Sequence, residues 1–156
     1  MGGAFDYRGN TTPVSEWNIS VDPESAAEVF AGWSAAWGID TPEHLPIMLG
    51  LNLTENIAMT PALLNRLAAA AKAPSTPMSV NDARGTRSDS PNPLIRVLED
   101  AMRFYFEFHF DTGDGYLAHL HDPLAAAVAL DPALVRCRET TVDVELTGPL
   151  TRGMPV

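Results

Sequence analysis

Three hydrogen-bonding side chains, Asn10, Glu16 and Asn18, lie close together in a Gly-rich opening stretch that begins Met1-Gly2-Gly3-Ala4-Phe5. A carboxylate flanked by two carboxamides suits a polyhydroxyl ligand. Sugar hydroxyls both donate and accept, and Asn can answer either need. Far downstream, His121-Asp122 stands at the head of an apolar segment. Histidine beside aspartate suits proton transfer or metal binding. Each residue also has an ordinary structural explanation. Asp122 precedes Pro123, as Asp22 precedes Pro23 and Asp131 precedes Pro132, and a helix N-cap of this kind is worth about 1 kcal/mol. Asn10 and Asn18 suit turns, Glu16 suits a solvated surface, and a lone histidine is more often structural than catalytic. Taken one at a time, the ordinary explanations are favoured.

The elements that must position these residues follow from the spacing of apolar and turn-forming residues. Residues 1–21 carry turn chemistry at Gly2-Gly3, Gly9-Asn10 and Thr12-Pro13. A helix then begins, with Asp22 as N-cap, Pro23 at the first helical position and Glu24 complementing the dipole. Ala26, Val29, Phe30 and Trp33 share one face, and Gly38 with Thr41-Pro42 ends the unit. Pro46–Leu51 is a short apolar run that reads as a buried strand. A helix from Thr60-Pro61 carries Leu63, Leu64, Leu67 and Ala70. Residues 73–92 are rich in Pro, Ser, Asn, Asp and Gly and read as a mobile surface loop. Asn92-Pro93 opens the longest helix, over roughly 93–109. Its apolar stripe is Leu94, Val97, Leu98, Met102 and Phe106, broadened by Ile95 and Phe110, with His109 able to edge a pocket. Asp111–Gly115 is a turn that lacks the ligands of a calcium loop. A further helix runs from Asp122-Pro123 through Leu130, and a short one follows Asp131-Pro132. Residues 141–146 alternate as a half-buried strand. Helices alternating with strands favour an α/β layered fold with a mostly parallel sheet.

Composition narrows the function classes. The 156 residues suffice for one domain with a core. At 46% hydrophobic and 19% charged residues the chain reads as globular rather than disordered. A net charge of -10 with no basic cluster argues against nucleic acid as a partner. No apolar stretch is long enough to read as a membrane span, and no signal segment stands at the start. The single cysteine, Cys137, cannot form an intramolecular disulfide, which fits a cytoplasmic, reducing location.

Several motifs follow one another in a recognisable order: Met1-Gly2-Gly3-Ala4-Phe5, Gly9-Asn10 with Thr12-Pro13, Glu16-Trp17-Asn18, Asp22-Pro23-Glu24, Leu49-Gly50-Leu51-Asn52-Leu53-Thr54, and His121-Asp122-Pro123-Leu124-Ala125. Their order and spacing resemble the nucleoside hydrolase family over nearly the whole chain. The His121-Asp122 pair is similar to its inosine–uridine-preferring branch. The resemblance implies that residues 1–156 form a partial nucleoside hydrolase domain, the C-terminal half, with an open, mostly parallel sheet flanked by helices. It also implies hydrolysis of the N-glycosidic bond of ribonucleosides, purine or pyrimidine, to ribose and free base, with a bound calcium ion as cofactor. Asn10, Glu16 and Asn18 would hold ribose hydroxyls and Met1 would lie against the ribose. His121 would protonate the departing base, and Asp122 would be a calcium ligand. The full-length relatives are expected to be homo-oligomers.

The chemistry suits these residue types. Glycosidic cleavage passes through an oxocarbenium-like state. A histidine near neutral pKa can assist the leaving group, and a carboxylate can favour the growing positive charge. The departures matter as well. The family's Asp-rich calcium loop has no counterpart in these residues, and Asp122 by itself cannot satisfy an ion that takes six to eight oxygens. Trp17 stands for a more usual Phe, and Asn52 where many relatives have Asp. The chain alone is therefore expected to be inactive, its calcium site incomplete. The other reading is a non-catalytic ribose-binding remnant or an interaction fragment.

Overall fold

A computed structural model describes residues 1–37 and 45–156. The chain divides into two compact units, Met1–Ile57 with His121–Val156, and Ala58–Leu120.

In the first unit the opening residues form an extended strap held by the later apolar run. The Gly2 amide donates to the Leu49 carbonyl at 3.0 Å, and the Leu51 amide donates to the Gly3 carbonyl at 2.9 Å. Gly3 sits at φ +86°, and a Cβ there would fall 2.4 Å from the Met48 methyl group. The left-handed backbone is what favours glycine here, since the Met48 methyl is the end of a flexible side chain and could shift. Turn chemistry continues only as far as Ser15. Helix α1, Trp17–Val21, then forms within the stretch expected to be all turn, because the Glu16 side chain caps it. Helix α2, Pro23–Trp37, starts where the sequence places it. The Asp22 carboxylate accepts from the Ser25 amide at 2.9 Å. The expected end of this helix, Gly38 with Thr41-Pro42, lies outside the described residues.

The Pro46–Leu51 run does not become a strand. Residues 45–50 have no regular structure, and helix α3, Leu51–Thr54, begins at its last residue. A short apolar run cannot by periodicity alone separate strand from other buried structure. Here two hydrogen bonds to the strap satisfy the backbone in place of a ladder. Helix α6, His121–Leu130, begins two residues before the expected Pro123, so Asp122 lies inside its first turn rather than capping it. A 3-10 turn, Pro132–Leu134, follows with Asp131 as its cap. The strand expected over 141–146 shrinks to a narrow antiparallel pairing of 143–145 with 153–156, centred on the Val144–Pro155 bridge. Ala4, Ile19, Leu49, Leu51, Val128 and Val144 are buried in this unit.

The second unit is built on a two-residue antiparallel pair, β1 (Ala58–Met59) with β2 (Ala118–His119). Helix α4, Pro61–Ala70, is capped by Thr60, whose Oγ1 accepts from the Leu63 amide. Helix α5, Pro93–Thr112, is capped by Asn92 and closed by Gly113 at φ +91°, so the Asp111–Gly115 stretch is a helix end and turn. Leu64, Phe106 and Ala118 form the centre of the core, with Met59, Met78, Leu98, Met102, Tyr105 and Tyr116 packed on it.

The face that α5 buries differs from the expected stripe. Ile95, Glu99, Arg103, Phe106 and His109 are buried, whereas Leu94, Val97 and Phe104 are exposed. The cause lies in residues 73–92, which contain no helix or strand. Apart from Ala73 and Met78, which pack on the core, this segment presents mainly hydroxyls and carboxylates to α5. Ser75 and Ser88 donate to the Glu99 carboxylate, Asp82 accepts from Arg103 at 2.8 Å, and the Ser88 amide donates to Asp100 at 2.8 Å. Buried polar groups must be paired, and Glu99 and Arg103 of α5 find their partners on this side. Among the described residues the sheet is the two-stranded pair alone; the open parallel sheet is not formed by them. No described helix is long and apolar enough to cross a membrane.

Candidate functional site

Glu16 is 2% exposed, which removes the solvated-surface explanation suggested by its residue type. Its Oε1 accepts from the Asn18 amide at 2.8 Å. Its Oε2 accepts from the Gly3 amide at 3.0 Å and the Ile19 amide at 3.3 Å. A carboxylate has about four acceptor positions, so three backbone bonds leave it little capacity for a ligand. Glu16 therefore fixes both the start of α1 and the strap.

Asn18, in the first turn of α1, donates through Nδ2 to the Met1 carbonyl at 3.2 Å and approaches the Met1 sulfur at 3.5 Å. Asn10 accepts at Oδ1 from the Trp17 amide at 2.9 Å and from the Thr11 hydroxyl at 3.2 Å. Among the described residues the Asn10 NH2 and the Asn18 Oδ1 make no hydrogen bond, and both side chains are exposed. The first can donate and the second can accept, the pairing that a hydroxyl-rich ligand needs. Trp17, beside them, is 61% exposed. The structure thus brings Met1, Asn10, Glu16 and Asn18 around the start of α1.

His121 opens α6, and its Nδ1 lies 2.8 Å from Oγ1 of Thr54 at the end of α3. Thr54 is fully buried and His121 half-buried. Sequence reasoning passed over Thr54, although it is the last residue of the quoted Leu49–Thr54 motif; its burial against His121 was the missing signal. The two groups of residues share one hydrogen-bonded framework. Glu16 holds Gly3, Gly3 holds Leu51, and α3 carries Thr54 to His121.

Asp122 is exposed, and among the described residues its carboxylate makes no hydrogen bond or ion pair. Its position in the first turn of α6 favours a negative charge. The described residues contain no group of three or more Asp, Glu, His or Cys able to hold a metal. One carboxylate supplies at most two oxygens against the six to eight that calcium takes. The described residues do not by themselves fit the ion.

The second unit holds another histidine set. His109 is 7% exposed, its Nδ1 is 3.3 Å from the Asp114 carboxylate, and its ring lies 4.9 Å from that of His119. Burial acts to raise the Asp114 carboxyl, but hydrogen bonds from His109 and Thr112 hold it below the usual carboxylate range. A cavity of about 250 Å³ in this unit is lined by Thr76, Asp82, Ser88, Glu99 and Arg103 among others. None of the six site residues expected from sequence lines it.

Comparison with known proteins gives the family. The family model described as inosine-uridine preferring nucleoside hydrolase matches residues 1–156. The inosine-uridine preferring nucleoside hydrolase of Crithidia fasciculata is 33% identical over 156 residues, covering 100% of this chain and 40% of the relative. The pyrimidine-specific ribonucleoside hydrolase RihA of Salmonella paratyphi C is 33% identical over 157 residues, with the same shares. Among solved structures, a plant nucleoside hydrolase superposes with a TM-score of 0.72 at 26% identity, covering 99% of this chain and 39% of that one. A purine-preferring ribonucleoside hydrolase from Gardnerella vaginalis gives 0.72 at 27%, covering 99% and 40%. These neighbours are consistent with the α/β class. The chain spans about 40% of the length of the relatives it matches. From the match over all 156 residues and the relatives' identities, the chain belongs to the inosine-uridine preferring nucleoside hydrolase family.

Proposed function

We propose that this chain supplies the ribose-holding and leaving-group side of a ribonucleoside hydrolase, working as part of a longer enzyme and inactive alone. The observation that carries the reading is the shared framework joining Glu16 and Asn18 on α1 to His121 on α6 through Gly3, Leu51 and Thr54. Separate polar groups held in one frame can meet the two ends of one substrate.

In this reading the Asn10 NH2 and Asn18 Oδ1 hold ribose hydroxyls, with Met1 against the sugar. Glu16 acts chiefly by fixing them, and its negative charge favours the oxocarbenium character that develops as the bond to the base lengthens. His121 donates its proton to the departing base. Water completes the reaction, giving ribose and free base. Asp122 would contribute one ligand to a calcium site whose remaining oxygens come from elsewhere.

Ribose release from inosine and uridine tests this. The chain alone should release none. An active longer polypeptide containing it should lose at least about a hundredfold in rate with His121→Ala, the contribution a positioned acid makes. Hydrolysis by the chain alone would overturn the partial-enzyme reading, and an unchanged rate in the variant would remove His121 as the acid. Ribose binding without hydrolysis in any context would favour a non-catalytic remnant.

A further inference from the structure

We infer that Thr54 is a positioning residue for His121, holding its neutral ring as the tautomer that carries the proton on Nε2. The inference rests on the reading of His121 as the leaving-group acid, but its geometry stands apart from that reading.

Thr54 is 0% exposed, so its hydroxyl proton has no access to bulk water. Among the described residues its only side-chain partner is His121 Nδ1, at 2.8 Å. A buried donor left without an acceptor is costly. If neutral His121 carried its proton on Nδ1, the Thr54 oxygen would accept it and the hydroxyl proton would be stranded. With the hydroxyl donating to the Nδ1 lone pair, both groups are satisfied and the ring proton resides on Nε2. The other side of Thr54 is equally fixed. Its amide donates to the Gly50 carbonyl at 3.1 Å, and Leu51, at the head of α3, is bonded to Gly3. The hydroxyl is thus aimed by the same strap that Glu16 holds. The contact leaves Nε2 as the nitrogen turned away from Thr54; the acid itself is the doubly protonated ring, whose Nδ1–H then donates to the Thr54 oxygen.

The test reads the His121 ring directly, by long-range proton–nitrogen correlation spectra of the 15N-labelled chain at a pH where the ring is neutral. The Nε2–H tautomer should exceed the other by about ten to one, the ratio that one net hydrogen bond sustains. The Thr54 hydroxyl proton should exchange slowly. Thr54→Val should shift the ratio away from the Nε2–H tautomer, and Thr54→Ser should restore it. An Nδ1–H ring in the unsubstituted chain, or an unchanged ratio in Thr54→Val, would overturn the inference. Should Thr54→Val fail to fold, the unsubstituted chain and Thr54→Ser still decide. In an active longer polypeptide, Thr54→Val should lower kcat about tenfold for natural nucleosides. Ribosides whose leaving group departs without a proton should be spared; an equal loss on both would mean a merely structural role. Failure of His121→Ala to slow hydrolysis would sink the proposed function while leaving the tautomer result intact.

Discussion

At the scale of single residues, Glu16 carries more of the local structure than its place in a turn-rich segment suggests. One carboxylate ties three amides that belong to two separate pieces of chain, the strap and α1. Hydrogen bonds to a buried charge are worth roughly 1.5–3 kcal/mol. Glu16→Ala should therefore cost roughly 2–3 kcal/mol in chemical denaturation, combining the lost charge-assisted bonds with the lost cap. Asn10→Ala, which removes bonds accepted by a neutral side chain at an exposed position, should cost well under half of that. Equal effects of the two substitutions would mean that the strap is held by something other than Glu16. Asp122 shows the reverse case. Its type and its following proline point to a cap, yet the helix starts before it and its carboxylate is left exposed.

At the scale of elements, α5 is held from one side by polar contacts with residues 73–92. Arg103 is 5% exposed and bonds Asp82. Hydrogen bonds from the Arg103 side chain and then from the Ser79 amide hold the Asp82 carboxyl below the usual carboxylate range. A carboxylate whose value is depressed by folding adds stability that is fully present above its unfolded value, about 3.9. That stability is lost as pH falls through the lower folded value. Asp82→Asn should lower Tm at pH 7, because it strips a buried guanidinium of its counter-charge. The gap from the unsubstituted protein should close on acidification below about pH 4. A gap that stays constant down to strongly acid pH would mean that the ionic contact contributes nothing. If the ties from Ser75, Ser88, Asp82 and Asp100 act together, residues 73–92 move less freely than their composition suggests.

At the scale of the whole molecule, one face of α5 carries a stripe of exposed apolar side chains. Leu94, Val97 and Phe104 are each more than 60% exposed, and Phe108 is half-exposed further along α5. Their spacing of three and four residues, continued by Ala101, puts them in one stripe. Contiguous apolar surface of this kind promotes association. The chain should therefore self-associate with rising concentration in sedimentation velocity. Phe104→Lys should reduce that association while leaving the melting temperature nearly unchanged, since a surface substitution costs within about 0.5 kcal/mol. A fall in Tm without any change in association would place Phe104 in a packed interior instead.

Local chemistry determined the helix starts at Pro23, Pro61 and Pro93. A capping side chain beside a proline at the first helical position is decided within a few residues. The motif order from Met1 to Asp122 was also readable, and it carried the family. Only tertiary structure decided which face of α5 is buried, because periodicity counts apolar residues and is blind to where a polar strap supplies partners for Glu99 and Arg103. It also decided that Pro46–Leu51 is held by two bonds to a glycine strap rather than built into a ladder. The same holds for Glu16 and Thr54. Nothing in the type of either residue reveals that one is buried under three amides or that the other reaches a histidine 67 positions away. Such contacts join segments remote in sequence, and their pairing is fixed by packing alone.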